Sequence, residues 1–144
     1  MKISIASDHA GFEQKERLRA FLEGLGHEVI DRGPANDDRV DYPDYSVPVA
    51  HDVADGQAER GVLVCGTGIG MALAADKVAG IRAANIITPQ FAALCREHND
   101  ANVITLSGRF VEPEVNEEIL RVFLSTDFGG GRHTGRVEKI MELD

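Results

Sequence analysis

The sequence predicts an α/β fold: a single three-layer α/β/α domain, Rossmann-like, on a five-stranded parallel sheet. Three observations carry this. Short apolar runs alternate along the chain with longer segments whose apolar residues recur at helical spacing. Several helical segments open with proline or close with glycine. At 144 residues the chain matches one domain of ordinary size, without repeat, low-complexity tract or linker.

Each element has its own justification. Lys2–Ser7 and His27–Asp31 read as the first two strands, bounded by turn-forming residues. Between them Leu18, Phe21, Leu22 and Leu25 form a helical face, and Gly26 stands where that helix stops. Tyr45–Asp55 is a second helix, with Pro48 close enough to its start to be tolerated. Gly61–Cys65 is the third strand, and Gly70–Val78 the helix that follows it. Arg82–Ile87 and Val103–Ser107 complete the strands. Pro89–His98 and Pro113–Leu124 are helices opened by proline. Arg132–Leu143 is the sixth helix, with Val137, Ile140 and Met141 on one face. Such alternation needs a crossover between strands, so the strands run parallel and helices cover both faces. Arg32–Pro43 and Ser125–Gly131 are irregular.

Composition narrows the function. Fifteen basic against 24 acidic residues give a net charge of −9, which argues against a nucleic-acid or membrane-surface partner, since both need a basic face. A small phosphate needs only a local cluster of donors and stays open. A strand pattern begins at once, so no signal peptide is expected, and no apolar run nears the ~18 residues of a membrane span. Cys65 and Cys95 belong to no CxxC or Cys/His cluster, so free thiols and a cytoplasmic location are expected. No residue group has metal-ligand spacing, and neither metal nor cofactor is expected.

In open parallel sheets ligands sit beyond the carboxyl ends of the strands, so the residues that end the strands matter most. The third strand ends in Cys65-Gly66-Thr67-Gly68-Ile69-Gly70. Glycines let backbone approach a ligand and let successive N–H groups point into one concavity. A helix opening next to them adds partial positive charge. The arrangement suits an anion or a developing oxyanion, and it favours the thiolate of Cys65. The competing reading is a tight turn beside an inert cysteine. A dinucleotide loop fails because Met71 stands where its third glycine belongs. The same Met71 stands where a cysteine phosphatase needs arginine, and the Lys-Ser/Thr pair of a Walker loop is absent.

Other constellations admit two accounts each. Asp8-His9 after the first strand can relay protons, or Asp8 can cap the next helix. His98-Asn99-Asp100 suits either a site or a helix C-terminus. Arg132 and Arg136, four apart in one helix, can grip a phosphate or lie solvated; Arg109 after the fifth strand is equally ambiguous.

Together these residues resemble the type B ribose-5-phosphate isomerases and their relatives, the galactose-6-phosphate and allose-6-phosphate isomerases. The resemblance runs through Ser7-Asp8-His9-Ala10-Gly11, Asp41-Tyr42-Pro43 and the Cys65–Gly70 loop. It continues through Ala75-Asp76-Lys77 with Gly80-Ile81-Arg82-Ala83, His98-Asn99-Asp100-Ala101-Asn102-Val103, and Gly130-Gly131-Arg132-His133 with Arg136-Val137. It implies an aldose–ketose isomerase, first of ribose 5-phosphate with ribulose 5-phosphate, that needs no cofactor. His98, assisted by Asp8, opens the furanose ring; Cys65 moves the proton between carbons; Thr67 moves one between the oxygens. Gly66, Gly68, Ile69 and Gly70 with Asn99 hold the negative charge. His9, Arg109, Arg132 and Arg136 take the phosphate, and Tyr42 lines the pocket. A branch of the family uses a glutamate six residues after the cysteine position; Met71 stands there and cannot accept a proton. The resemblance also implies a homodimer or homotetramer in which His98, Asn99 and Arg109 reach a neighbour's site. The rivals are isomerisation of a six-carbon sugar phosphate, a non-catalytic sugar-phosphate sensor and, weakest, a nucleotide-binding module.

Overall fold

Strand alternation sorts the side chains of β1 (Lys2–Ser7) between two helical layers. Ile3 and Ile5 point to one face of the sheet, Ser4 and Ala6 to the other. The same alternation runs through β3 (Arg60–Cys65) and β5 (Val103–Ser107) in this computed structural model, which describes residues 1–144. One face packs on α1 (Phe12–Gly24), α4 (Pro89–Asn99) and α5 (Pro113–Ser125), with Leu18, Leu22, Ile119, Leu120 and Phe123 against Val62, Val64, Ile104 and Leu106. The other packs on α2 (Pro43–Ala54) and α3 (Ile69–Ala75), with Val49, Ala50 and Met71 against Leu63 and Cys65. Full burial of each large aliphatic side chain contributes about 1.5–3 kcal/mol. Three layers and five parallel strands are thus observed as the sequence predicts.

With β2 (Glu28–Asp31) and β4 (Ala83–Asn85), the strand order is β2-β1-β3-β5-β4. The chain moves outward from β1 to β2 and then returns past β1 to β3. That reversal opens a crevice at the carboxyl ends of β1 and β3, the preferred ligand position in such sheets.

Buried ion pairs pin the loop that overhangs this crevice. Lys15, fully buried on α1, donates to both Asp31 carboxylate oxygens (3.1 and 3.0 Å) and to the Pro34 carbonyl. Asp52 on α2 accepts from the Ser4 hydroxyl at 2.7 Å and from Arg32 at 2.7 and 2.8 Å. Burial opposes the Asp52 charge, but the bonds from Arg32 and Ser4 outweigh it and hold the carboxyl below the usual range.

Several boundaries differ from expectation. α2 begins at Pro43, whose fixed φ and missing N–H suit a first turn. α3 ends at Ala75, because the Asp76 carboxylate accepts the Ala83 N–H and turns the chain. β4 is only three residues, since the Arg82 amide donates to the Asn102 side chain instead of a ladder partner. The expected single helix from Arg132 is divided. Gly130 and Gly131 take left-handed φ of 61° and 56°, and a 3-10 turn over Gly131–His133 precedes α6 (Thr134–Met141).

Candidate active site

β1 and β3 end side by side, and the Asp8 N–H donates to the Val64 carbonyl at 3.1 Å. Gly11 is indispensable to this approach: a Cβ there would lie 2.4 Å from the Val64 oxygen. Asp8, buried, accepts the Gly11 N–H on Oδ1 at 3.0 Å. Asp8 is therefore not the N-cap of α1, which is Gly11; its Oδ1 holds the turn before the helix, while Oδ2 has no partner in the chain. His9 accepts the Val40 N–H on Nδ1 at 3.3 Å, which in the neutral ring places the proton on Nε2.

The Cys65–Gly70 loop crosses the same crevice. Gly68, at φ 85°, turns its N–H onto Cys65 Sγ at 3.0 Å. Thr67 Oγ1 accepts the Ile69 N–H at 3.1 Å, which leaves its own hydroxyl proton free to donate outward. The amides of Gly70 and Met71, in the first turn of α3, have no partner in the chain. α3 has only seven residues, so the loop amides contribute more to an anion site here than an axial dipole does. The Tyr42 ring packs against this turn; a Cβ on Gly70 would lie 2.5 Å from it. Arg109 lies over Gly66 of its own chain, with Cδ and Nη1 each 3.4 Å from where a Gly66 Cβ would be.

Asp8, His9, Tyr42, Cys65, Thr67, the glycines, Ile69 and Arg109 thus share one end of the sheet. His98, Asn99, Arg132 and Arg136 do not. α4 runs back from the carboxyl edge, so His98 and Asn99 lie near the start of β5. There the His98 and His133 rings stack with centroids 4.4 Å apart, and Glu97 accepts the Gly129 N–H. Arg132 adjoins them in the 3-10 turn, and Arg136 follows on α6. The His133 ring is held below the usual imidazole range by desolvation first, then by His98, Arg132 and Arg136. Such crowding of positive groups around a polar hollow suits an anion. Register fixes the gap between the clusters: Gly61 faces Val103 and Cys65 faces Ser107, so they are on the order of 15 Å apart.

The family model described as Ribose/Galactose Isomerase matches residues 3–140. The chain belongs to the ribose/galactose isomerase family. It is 43% identical over 143 residues to ribose-5-phosphate isomerase B of Escherichia coli K12, covering 99% of this chain and 96% of that protein. The ribose-5-phosphate isomerase B of Clostridium thermocellum superposes with a TM-score of 0.98 at 45% identity, covering 99% of this chain and 97% of the other. The Mycoplasma genitalium isomerase with bound ribulose 5-phosphate gives 0.95 at 42% identity, over 99% and 95% of the two chains. The chain is therefore an isomerase.

Within this family member, three polar side chains to which the sequence assigns no role shape the crevice. Ser107 donates to the Gly66 carbonyl at 2.7 Å and accepts the Phe110 N–H, joining the Cys65 loop to the Arg109 turn. Gln14 donates to the Gly108 and Val111 carbonyls and accepts from Asn116 at 2.7 Å. Asn85 donates to the Thr67 carbonyl at 3.2 Å. Ser107 carries a weak sequence signal, its strand-end position; Asn85 and Gln14 carry none, because β4 is an edge strand and Gln14 sits in the first turn of α1 with no motif around it. No helix is long and apolar enough to cross a membrane.

Proposed function

We propose that residues 1–144 form one isomerase domain that interconverts ribose 5-phosphate and ribulose 5-phosphate, with each site completed by a second copy of the chain. The observation that carries this is the thiol of Cys65 accepting the Gly68 N–H at 3.0 Å at the switch-point crevice, where β3 ends beside β1 and Asp8. The thiolate takes the proton from carbon 2 of the open aldose and returns it to carbon 1. Thr67, whose oxygen already accepts the Ile69 N–H, donates its proton to one substrate oxygen and recovers one from the other. The loop amides hold the enediolate oxygen while the charge is present. Neither step changes the redox count of substrate and enzyme together, so no external electron carrier enters.

The second cluster, on the opposite edge, needs a partner to reach a substrate at Cys65. His98 of the second copy opens the ring with Asp8 Oδ2 assisting. Its Asn99 faces the enediolate, and its Arg132 and Arg136 take the phosphate together with His9 and Arg109. The apolar groups around the crevice support association: Ile69 and Leu73 share one exposed face of α3, and Ile87, Phe91 and Phe110 are exposed at the same end of the sheet. Exposed apolar area of this kind marks an interface.

The test is turnover of ribose 5-phosphate by the purified protein, with the ketose detected directly. Cys65→Ala is expected to lose about 10²–10⁴-fold in kcat while still binding sugar phosphate. Near-normal turnover by this variant refutes the base assignment. Because the family description spans two sugar lengths, allose 6-phosphate is assayed beside it; a strong preference for the longer sugar reassigns the substrate.

A further inference from the structure

The loop that carries Cys65 is held from below by a side chain on the far edge strand. Asn85, the last residue of β4, extends its amide across β5. Its Nδ2 lies 3.2 Å from the Thr67 carbonyl, 3.3 Å from the Thr105 carbonyl and 3.1 Å from Thr105 Oγ1. One of the two amide protons is shared between the carbonyl and the hydroxyl of Thr105, which anchor it, since Thr105 is fully buried on β5. The remaining bond goes to the catalytic loop. Gly68 is shaped around this contact: a Cβ there would lie 2.2 Å from Asn85 Nδ2.

The Thr67 carbonyl and the Gly68 N–H are the two ends of a single peptide group. One end accepts from Asn85, and the other donates to Cys65 Sγ at 3.0 Å. A donor on the carbonyl polarises the peptide and makes its N–H a stronger donor. It also fixes the plane of the group, so that the N–H stays aimed at sulfur as the thiol loses its proton. We infer that Asn85 is a positioning residue that stabilises the thiolate of Cys65 through the Thr67–Gly68 peptide. The Ser107 bond to the Gly66 carbonyl fixes the preceding peptide and leaves this one to Asn85. Without Asn85 the peptide can flip, which would direct the Thr67 carbonyl dipole toward the sulfur.

The inference deepens the reading of Cys65 as the base and rests on it. The test follows the thiolate itself, by its ultraviolet absorbance against pH, with Cys65→Ala as the blank. Cys95 does not interfere, because burial pushes its thiol up to about 11, with Arg96 lowering it only in part. In Asn85→Leu, close in size but unable to donate, the Cys65 thiolate population near neutral pH is expected to fall about threefold. kcat is expected to fall by a similar factor, with KM within about twofold, and the acid limb of the kcat profile moves to higher pH. Asn85→Ala removes the donor without adding bulk or charge, and decides the matter by the same titration if leucine disturbs the packing. A thiolate titration superimposable on the parent in the folded variants overturns the inference, whatever happens to the rate. The two failures are distinct. An active Cys65→Ala refutes the base reading, whereas an inactive Cys65→Ala with an unmoved titration in the Asn85 variants refutes only the role of Asn85.

Discussion

If each site draws on two chains, two inactive variants must repair one another. The perturbation is a mixture of Cys65→Ala with His98→Ala, refolded together so that subunits exchange. Cys65 ends β3, whereas His98 lies beyond the start of β5, and four residue steps of strand already span roughly 13 Å. General acid–base chemistry needs contact near 3 Å, so the two groups of one chain cannot act on one sugar. In a mixed dimer one site inherits both lesions and the other inherits none. Equal mixing with random pairing makes about half the dimers mixed, each with one intact site, so about one quarter of the parental activity returns. The same arithmetic holds for a pair of dimers. Turnover of ribose 5-phosphate before and after exchange is the assay, with native mass spectrometry counting the mixed species. Mixed dimers that are no more active than the sum of the separate variants refute the shared site. They would place His98 outside the chemistry altogether.

Other expectations follow from single contacts. Gly11→Ala should cost about 3 kcal/mol or prevent folding, because its Cβ meets backbone at 2.4 Å that cannot move without breaking the β1–β3 crevice; a denaturant melt checks this. Asp52→Asn should destabilise the fold by about 2 kcal/mol at neutral pH by removing the charge that Arg32 and Ser4 bind. Since the Asp52 carboxyl is held below its ordinary value, that stabilisation is full above the unfolded value and is lost as pH falls through the folded one. Melts of parent and variant should therefore converge in acid. His133 is depressed in the folded state, so its linked stability is full above the ordinary imidazole value and erodes as pH falls below it. Sulfate, whose charge is constant over this range, should raise the melting temperature more near pH 5.5 than near pH 7.5; a gain independent of pH would remove the anion from this cluster.

The fold was legible because its signals are local. Proline at the starts of α4 and α5 and the short, almost continuously buried runs of β1, β3 and β5 are written in neighbouring residues. The last helix misled for an equally local reason: Gly130 and Gly131 read as a loop before a helix, yet their left-handed φ carries Arg132 into a 3-10 turn. The site was legible residue by residue, since strand ends in a parallel sheet mark where ligands sit.

Sequence alone therefore determined the layers, the crevice residues and the thiol between glycines, each a consequence of short-range pattern. Tertiary structure decided that the cationic and histidine cluster faces the other edge of the sheet, and that Asn85 and Ser107 hold the peptides around Cys65. The physical reason is that strand order and helix direction set which distant residues meet. No periodicity records a contact made across β5 by the tip of an edge-strand amide.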